Sequence, residues 1–394
     1  MVTGEYPPAI GGVADYTALL GRHLEALGIR VTVITTGRGE AQPPGVETVT
    51  AWGLRTLPEV LQRIADAGAD VVHLQYQTAA FAMSPLINCL PLLLRGRGIR
   101  APFVTTFHDL REPYLFPKAG VLRRLANHLL IGASEASIFT DPVDLARAHP
   151  RRVAAWIPIG PSTRPSGPIG RHAERVRWGI GEDEVAIAFF GFVNRSKAVD
   201  VLLRAAERVG RAGVALRILL IGDESGVSDP TNRETALRVR ASIAALGLEE
   251  RVTRTGPLAA EQISAALTAA DLVVLPYADG ASLRRASLLT CLAHGIPVVS
   301  TRPSQTSGVP PRFCIAPFEQ PELFRLDDRV LALVPPGDDA ALAREIFRLI
   351  NDPERMATLG RAGAAFASRF DWSDVAAAMA EVYRRVLPRT SRSS

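Results

Sequence analysis

The sequence predicts an α/β protein made of two Rossmann-like, doubly wound parallel-sheet domains that face each other across a cleft. Short segments rich in valine, isoleucine, leucine and phenylalanine alternate along the chain with longer amphipathic segments. Most of the short segments are almost continuously apolar, which is typical of parallel strands covered by helices on both faces. A stretch of prolines and glycines at 160–171 separates two such series and predicts a linker between two domains.

The elements of the first domain follow in order along the chain. A short strand at 1–3 leads through Gly11 and Gly12 into a helix at 14–27, which Gly28 ends. Further strands are predicted at 31–35, 71–76, 103–107 and 136–140.

The second series has the same strand-then-helix order. Its strands are predicted at 185–192, 216–221, 251–255, 272–276, 297–301 and 330–334, and its helices include 199–212 and 338–349. A last helix begins near Phe370, with Ser373 as a suitable N-cap. We therefore expect domains at 1–165 and 166–368, and a C-terminal helix at 369–394 that crosses back to the first domain.

The bulk composition fits two soluble domains. The chain has 394 residues, of which 47% are hydrophobic and 22% charged. Its net charge of +5 favours anionic partners such as nucleotides or lipid headgroups, although a merely basic soluble surface gives the same value. Three widely spaced cysteines indicate a reducing compartment. Since no signal-peptide pattern is present, we expect a cytoplasmic protein.

Two features of the first domain suit ligand binding. Gly11 and Gly12 precede a helix, where backbone N–H groups and the helix dipole favour an anion; an ordinary turn is the alternative. His108 and Asp109 follow the strand at 103–107, at its carboxyl end. His108 could bond a substrate oxygen or act as a base, with Asp109 orienting its ring. The alternative is a structural histidine bonded to the backbone.

In the second domain, basic side chains precede two helices. Arg195 and Lys197 lie before the helix at 199–212, and Arg284 and Arg285 lie before a helix that ends near Gly295. A cation at this end of a helix is disfavoured by about 0.3–1 kcal/mol, so both positions predict a bound anion such as a diphosphate. The carboxylate nearest to the arginine pair in sequence is Asp279, and residues 275–300 contain no other acidic residue.

A further loop and several missing motifs narrow the function. Gly256 follows the strand at 251–255, where backbone amides could pair with a nucleobase edge. The sequence lacks a D-x-D pair for a metal-held diphosphate, a Walker lysine loop and a G-x-S-x-G elbow. The absence of G-x-G-x-x-G argues against a dinucleotide dehydrogenase. We therefore expect no metal and no cofactor, with arginine, lysine and helix dipoles neutralising the diphosphate.

At these residues the sequence resembles glycosyltransferase family four, the retaining group 1 type of the GT-B fold, over nearly the whole chain. Five motifs in the family's order and spacing carry the resemblance: Pro7, Pro8, Gly11 and Gly12; Thr106, His108 and Asp109; Lys197, Leu202, Leu203 and Ala205; Ala270, Asp271, Pro276, Gly295, Pro297, Val298 and Val299; and Phe370, Trp372, Val382 and Tyr383. Ala198 stands where the family has a glycine after the lysine.

The resemblance implies a retaining, metal-independent transfer of sugar from a nucleotide diphosphate sugar to a glycan, lipid-linked or small-molecule acceptor, as in cell-surface polysaccharide biosynthesis. The first domain would be the acceptor side and the second the nucleotide-sugar domain. The candidate catalytic residues are His108, Asp109 and Asp279. The candidate donor-binding residues are Gly11, Gly12, Arg195, Lys197, Gly256, Gly280, Ser282, Arg284, Arg285, Ser287 and Thr290.

Two departures from the family pattern leave alternatives open. The family's arginine before the lysine falls at Phe192, so Arg195 or the pair Arg284 and Arg285 would supply its charge. The family's E-x7-E pattern falls on Ser282 and Thr290 when counted from Gly295, or on Asp279 and Ser287 when anchored at Asp279. The second glutamate, which holds the nucleotide ribose in the family, is absent in both registers. A weakly active or non-catalytic nucleotide-sugar binding homologue and a nucleotide-sugar epimerase are therefore alternatives.

A basic helical pattern at 115–130 bears on the acceptor. Lys118, Arg123 and Arg124 lie among leucines at helical spacing, which suits contact with an anionic membrane at the inner face. The alternative is a surface helix with a basic outer face. The expected partners are thus a nucleotide diphosphate sugar, an acceptor of unknown identity and a membrane surface, but not nucleic acid.

Overall fold

The computed structural model describes residues 1–37, 43–110, 120–150, 152–165, 167, 170–223, 231–303 and 309–388. Within these ranges the chain forms two compact α/β units. Unit 1 comprises Met1–Ile159, Ser307–Leu323 and Trp372–Ser394, and unit 2 comprises Gly160–Thr306 and Phe324–Asp371.

Unit 1 contains a parallel sheet. Its described strands are β1 (Val2–Thr3), β2 (Val33–Thr36), β3 (Val46–Val49), β4 (Val72–Tyr76), β5 (Phe103–Phe107), β6 (Ala136–Phe139) and β7 (Val153–Trp156). They lie in the order β3-β2-β1-β4-β5-β6-β7. The order reverses direction at β1, as in a doubly wound fold, and ligands of such folds bind beyond the carboxyl ends of the strands near this reversal.

Helices connect and cover these strands. They are α1 (Gly12–Ala26), α2 (Leu57–Asp66), α3 (Leu86–Gly96), α4 (Gly120–Ala133) and α5 (Pro142–Ala148). In the strands β4 (VHLQY) and β5 (FVTTF) every residue is buried, including the two polar residues that each of them contains.

Unit 2 repeats the architecture. Its described strands are β8 (Val185–Phe190), β9 (Leu216–Ile221), β10 (Val252–Arg254), β11 (Leu272–Leu275), β12 (Val298–Thr301) and β13 (Ala332–Val334). They are parallel, in the order β10-β9-β8-β11-β12-β13. The helices are α6 (Arg171–Arg177), α7 (Val199–Arg211), α8 (Thr231–Ala245), α9 (Ala260–Thr268), α10 (Ala286–Ala293), α11 (Asp339–Ile350) and α12 (Pro353–Ala367).

The last helix, α13 (Trp372–Val386), packs against α1 in unit 1. Its buried face includes Val375, Met379 and Val382. The ring of Trp372 meets that of Tyr16 edge-on, with 5.2 Å between centroids. Since α13 follows the helices of unit 2 in the chain, the polypeptide returns to unit 1 after passing through unit 2.

A second segment of unit 1 comes from late in the sequence. Residues 309–323 lie in unit 1, whereas the sequence prediction includes them in the domain 166–368. The turn Pro311–Phe313 contacts β7, and the buried ring of Phe318 packs against Trp156. Burial of these aromatic rings accounts for the placement.

The two-domain parallel α/β fold predicted from the sequence is confirmed, and the predicted strand and helix limits lie close to those observed. Two strands escaped the prediction. The edge strand β3 has the sequence VETV, whose polar residues at its centre weaken the apolar signal, and the edge strand β7 has only four residues. None of the helices in the described ranges has both the length and the hydrophobicity of a membrane-spanning segment.

Glycines allow close packing of α12 against the turn that follows α10. A Cβ atom built on Gly360 would lie 2.2 Å from the carbonyl oxygen of Gly295, and one on Gly363 would lie 2.8 Å from a methyl carbon of Leu292. Both distances are shorter than carbon atoms tolerate, and the first involves backbone. The helix and the turn therefore approach each other through glycine alone.

We expect Gly360→Ala to destabilise the protein by about 1–3 kcal/mol, because overpacking costs more than the gain in helix propensity. Gly132→Ala in α4 is the matched control, since a Cβ atom there meets nothing within 4 Å. That change should be stabilising by up to about 1 kcal/mol. Chemical denaturation measures both, and an equal effect of the two substitutions would contradict the packing.

Candidate functional site

The loop after β8 places a lysine at the start of α7. The strand ends in buried apolar residues, and Gly191 follows with a φ of +128°. The Asn194 side chain accepts hydrogen bonds from the backbone N–H of Lys197 at 3.1 Å and from the Ser196 hydroxyl at 2.9 Å. Ala198 then takes a left-handed conformation, with a φ of +47°, before the helix begins. The turn thus fixes Lys197 at the carboxyl edge of the sheet.

The Lys197 side chain is buried, with 8% of its surface exposed. Its Nζ donates a hydrogen bond to Ser287 Oγ at 2.6 Å and lies 4.9 Å from the centre of the Tyr277 ring. The hydroxyls of Tyr277 and Ser287 are 3.0 Å apart. Burial, and secondarily the nearby Arg285, lowers the pKa of Lys197 to about 7. The lysine is therefore poised between its charged and neutral forms near neutral pH.

The arginine pair before α10 shares one carboxylate. Arg284 donates to Asp279 Oδ2 at 2.8 Å, and Arg285 donates to Asp279 Oδ1. The Arg285 guanidinium also lies over the Tyr277 ring, 4.1 Å from its centre. The expectation that only a bound anion could explain these cations is wrong, because Asp279 supplies an anion within the fold. The two arginines and Lys197 nevertheless outnumber this carboxylate.

A cavity of about 180 Å³ lies at the carboxyl ends of β8, β9 and β10. Gly191, Gly222 and Gly256 are among the residues that line it. A Cβ atom on Gly191 would lie 3.0 Å from Lys197 Nζ, so this glycine borders both the cavity and the lysine. The backbone N–H of Gly222 is bonded to Thr255 Oγ1 at 3.1 Å, and Gly256 has a φ of +69°. The predicted residues Lys197 and Gly256 thus lie at the same edge of the sheet.

The remaining predicted donor residues of unit 2 differ in their surroundings. Arg195 is exposed on the turn that holds Lys197, and Gly280 is buried with a φ of +84°. The hydroxyl of Ser282 is buried without a hydrogen-bond partner among the described residues. Thr290 is fully buried, and its Oγ1 accepts the backbone N–H of Ser162 at 2.9 Å.

These contacts differ between the two possible placements of the E-x7-E pattern. Asp279 and Ser287 both belong to the group around Lys197 and Arg285. Thr290 instead bonds a residue of the linker, and its hydrogen bonds in the described structure do not include Lys197. Therefore both positions of the E-x7-E pattern lie in the group around Lys197 only when the pattern is placed on Asp279 and Ser287.

In unit 1, His108 follows β5 at the carboxyl edge of the sheet. Its Nε2 is 3.0 Å from Gln75 Oε1, and its ring meets the ring of Tyr16 edge-on, with 4.6 Å between centroids. Burial lowers the pKa of His108 to about 3, so the ring is neutral at physiological pH. The partner of the ring is Gln75, and not the neighbouring Asp109 that the sequence suggested.

The glycine loop before α1 already holds an acid. Glu5 Oε1 accepts the backbone N–H of Val13 at 3.3 Å, in the first turn of α1. A Cβ atom on Gly11 would lie within 2.2 Å of the same carboxylate oxygen, whereas one on Gly12 would meet nothing within 4 Å. Gly11 thus makes room for Glu5, and Gly12 keeps the helix terminus accessible.

Sequence reasoning missed three residues that shape these sites. Tyr277 and Tyr16 were not among the predicted site residues, although each ring packs against a candidate residue. Gln75 is fully buried within β4, and a glutamine inside an apolar strand was the available signal.

Comparison with known proteins places the chain in a family. Residues 11–157 match the model of the glycosyl transferase 4-like domain, and residues 184–352 match that of the glycosyl transferases group 1. These two ranges cover most of unit 1 and most of unit 2.

Curated relatives carry the name D-inositol 3-phosphate glycosyltransferase. The protein from Arthrobacter sp. (strain FB24) is 25% identical over 411 aligned positions, covering 95% of this chain and 90% of the relative. That from Streptomyces scabiei is 29% identical, covering 95% and 86%. The relative from Segniliparus rotundus is 29% identical over 242 residues, which span 61% of this chain and about half of the relative, 48%.

Solved structures share the fold. Sucrose-phosphate synthase from Thermosynechococcus elongatus superposes with a TM-score of 0.75 at 21% identity, covering 95% of this chain and 94% of the other. The Anabaena protein HepE, in complex with UDP and glucose, gives a TM-score of 0.73 at 19% identity, covering 96% and 98%. The resemblance inferred from the motifs is confirmed by the family models and the curated relatives, and the chain belongs to the group 1 glycosyltransferases of the GT-B fold.

Proposed function

We propose that this protein transfers a sugar from a nucleotide diphosphate sugar to a hydroxyl of a small polar acceptor, with retention of configuration and without a metal ion. The observation that supports the proposal best is the group of Lys197, Arg284 and Arg285 around Asp279, beside the cavity at the carboxyl edge of unit 2. These three basic side chains lie close together at the edge of the sheet where a diphosphate would bind.

In this proposal the nucleotide binds in unit 2. The base occupies the cavity beside Gly222 and Gly256, and the diphosphate lies at Lys197 and the start of α7. Positive charge held rigidly beside the diphosphate stabilises it as it leaves the sugar. Asp279 holds Arg284 and Arg285 through both carboxylate oxygens, so its role is to position these cations.

Unit 1 is the acceptor side in this proposal, and His108 and Gly12 at the carboxyl edge of its sheet are its candidate substrate contacts. The relatives' name suggests a phosphorylated polyol as the acceptor. Such a group occurs both on soluble metabolites and on lipid headgroups. A cytoplasmic enzyme that reaches the inner face of a membrane would have access to both.

Lys197→Met should weaken binding of the donor about 10- to 100-fold. The methionine keeps the volume but removes a charge-assisted hydrogen bond of about 1.5–3 kcal/mol. A thermal-shift screen of UDP-, ADP- and GDP-sugars identifies the donor, and calorimetry then gives the dissociation constants.

Arg211→Met is the matched control, because Arg211 is exposed at the other end of α7 and pairs with Glu207. It removes the same charge and should leave affinity unchanged. Near-normal binding by Lys197→Met would refute the phosphate contact. Tight binding by the native protein without transfer to any acceptor would indicate a nucleotide-sugar binding homologue.

The affinity for the donor should fall as the pH rises above 7. A bound diphosphate favours the charged ammonium of Lys197, whose pKa in the free protein is about 7, so binding at higher pH requires uptake of a proton. We expect the dissociation constant to rise up to about tenfold per pH unit until the pKa of the complex is reached. Calorimetry in buffers of different ionisation enthalpy measures the proton uptake.

The lowered pKa of Lys197 also affects the free energy of unfolding, with a pH dependence opposite to that of the donor affinity. The unfolded lysine keeps its ordinary pKa, so between about pH 7 and 10 the unfolded chain binds more protons than the folded one. The contribution of Lys197 to the free energy of unfolding therefore rises with pH in this window.

For the donor, a dissociation constant that does not change from pH 6 to 9 would contradict a lysine titrating at the site.

Contact with a membrane is a separate part of the proposal. The outer face of α4 combines exposed apolar residues with the exposed Arg124: Val121 and Leu122 are 70% exposed and Leu125 is 66% exposed. Arg123 turns inward, with Nη2 3.4 Å from the Met83 carbonyl oxygen, and Lys118 lies outside the described residues. An exposed apolar helix face of this kind suits shallow insertion among lipid headgroups.

We expect the protein to co-sediment with vesicles containing anionic lipid at low salt, and Leu122→Glu with Leu125→Glu to reduce the bound fraction at least about fivefold. Leu54→Glu is the control, because Leu54 is 73% exposed but lies outside α4. Absence of binding by the native protein at low salt would remove the membrane from the proposal and favour a soluble acceptor.

A further inference from the structure

One face of the sheet in unit 1 carries a row of buried polar side chains. His73 and Gln75 lie two residues apart on β4, and Thr106 and His108 lie two apart at the end of β5. Residues two apart share a face of a strand, and Gln75 is the registered neighbour of Thr106. His73, Gln75 and Thr106 are at most 2% exposed. Buried polar groups of this kind are ordered only when they bond one another.

At one end of the row, a tyrosine from α13 forms a hydrogen bond with His73. His73 Nδ1 is 2.6 Å from the Tyr383 hydroxyl, and His73 Nε2 is 2.8 Å from Thr106 Oγ1. The Gln75 amide nitrogen faces His73, with 3.3 Å to Nε2. This orientation leaves the Gln75 amide oxygen towards His108 Nε2, at 3.0 Å. The direction of the Gln75 amide is thus set by the two rings on either side of it.

An amide oxygen can only accept a hydrogen bond, so the proton of a neutral His108 lies on Nε2. The Nδ1 atom of the ring is then an acceptor. A neutral amide also gives the imidazolium form no compensating charge, in contrast to the carboxylates that often orient histidine rings. A glutamate at this position would also accept from Nε2, but its charge would favour the imidazolium form, in which Nδ1 is a donor and no longer an acceptor.

Resting on the proposed function, we propose that Gln75 is a positioning residue for the transfer reaction: it holds His108 in the neutral form protonated at Nε2, so that Nδ1 accepts a hydrogen bond from a substrate hydroxyl. Gln75 acts through His108 and does not itself touch the substrate. Tyr16 fixes the ring from the other side by its edge-on contact.

The titratable side chains of the surrounding elements are compatible with a neutral ring. Among the described residues, those that contact this row or the His108 ring include Tyr16 on α1, His73 on β4 and Tyr383 on α13, while Asp109 is the next residue in the chain. Burial raises the pKa of both tyrosines and lowers that of His73 well below its usual value, so all three are uncharged at neutral pH. Burial also lowers the pKa of His108 itself. Tyr16, His73 and Tyr383 therefore add no charge that would favour the imidazolium form of His108.

The test compares the full-length native protein with Gln75→Glu by NMR of ¹⁵N-labelled histidine and by steady-state kinetics. In the native protein we expect His108 to carry its proton on Nε2 and to remain neutral down to about pH 5. In Gln75→Glu the new carboxylate should raise the pKa of His108 by about 1–3 units. The value of kcat should fall at least about tenfold, with the KM for the donor changed less than about twofold.

Gln62→Glu is the matched control, since Gln62 is exposed on α2 and bonds Asp66. It adds the same charge and should change neither the His108 signals nor kcat. If Gln75→Glu does not fold, Gln75→Met keeps the volume without the acceptor, and His108 should then populate both neutral tautomers. A native His108 protonated at Nδ1, or an unchanged pKa in Gln75→Glu, would overturn the proposal.

The NMR readout separates this proposal from the proposed function. The tautomer and the pKa of His108 are measured without turnover, so they stand or fall independently of the transfer assay. A native protein that transfers no sugar but shows the Nε2 tautomer would refute the function and not the role of Gln75 in fixing the ring.

Discussion

Parallel strand pairing is the constraint on which the rest of this structure depends. Because all strands of a parallel sheet run in one direction, every loop that follows a strand emerges at the same edge. In unit 2 this brings together the loops after β8, β9, β10 and β11, which carry the lysine, the cavity and the arginine pair. In unit 1 it places the loops after β1 and β5, with Gly12 and His108, at one edge. The direction and order of the strands thus bring the candidate site residues to one edge of each sheet, independently of the contacts between their side chains.

The sequence was sufficient for the fold and for part of the site. Continuous apolar strands, glycine at helix ends and the proline-rich linker are local signals, so most elements lie where they were expected. The position of Lys197 and Gly256 at the carboxyl edge of the sheet could be predicted, because each follows a predicted strand in the sequence. The ion pairs of Asp279 and the contact of Tyr277 with Lys197 could not, because they depend on side chains brought together by folding. The short edge strand β7 and the polar edge strand β3 gave too weak a pattern.

Both units keep an ionisable group in an unusual state, and both do so by burial. Taking Lys197 out of water disfavours its charge, and in the part of the chain that the structure describes its ammonium bonds the hydroxyl of Ser287 and no carboxylate. Taking His108 out of water does the same to the imidazolium, and Gln75 offers no charge to offset it. Ser287 is neutral, so its hydrogen bond to Lys197 Nζ brings no opposite charge to offset the burial of the ammonium.

The left-handed backbone of Ala198 limits how this loop can vary. An alanine in this conformation costs roughly 1–2 kcal/mol more than a glycine, and a β-branched side chain costs more still. The strain is borne by the residue directly after the lysine, where the turn changes into α7. Glycine at this position should therefore raise stability, whereas valine, isoleucine or threonine should be excluded by the backbone conformation alone, and a polar side chain would have to be buried, since Ala198 is 8% exposed.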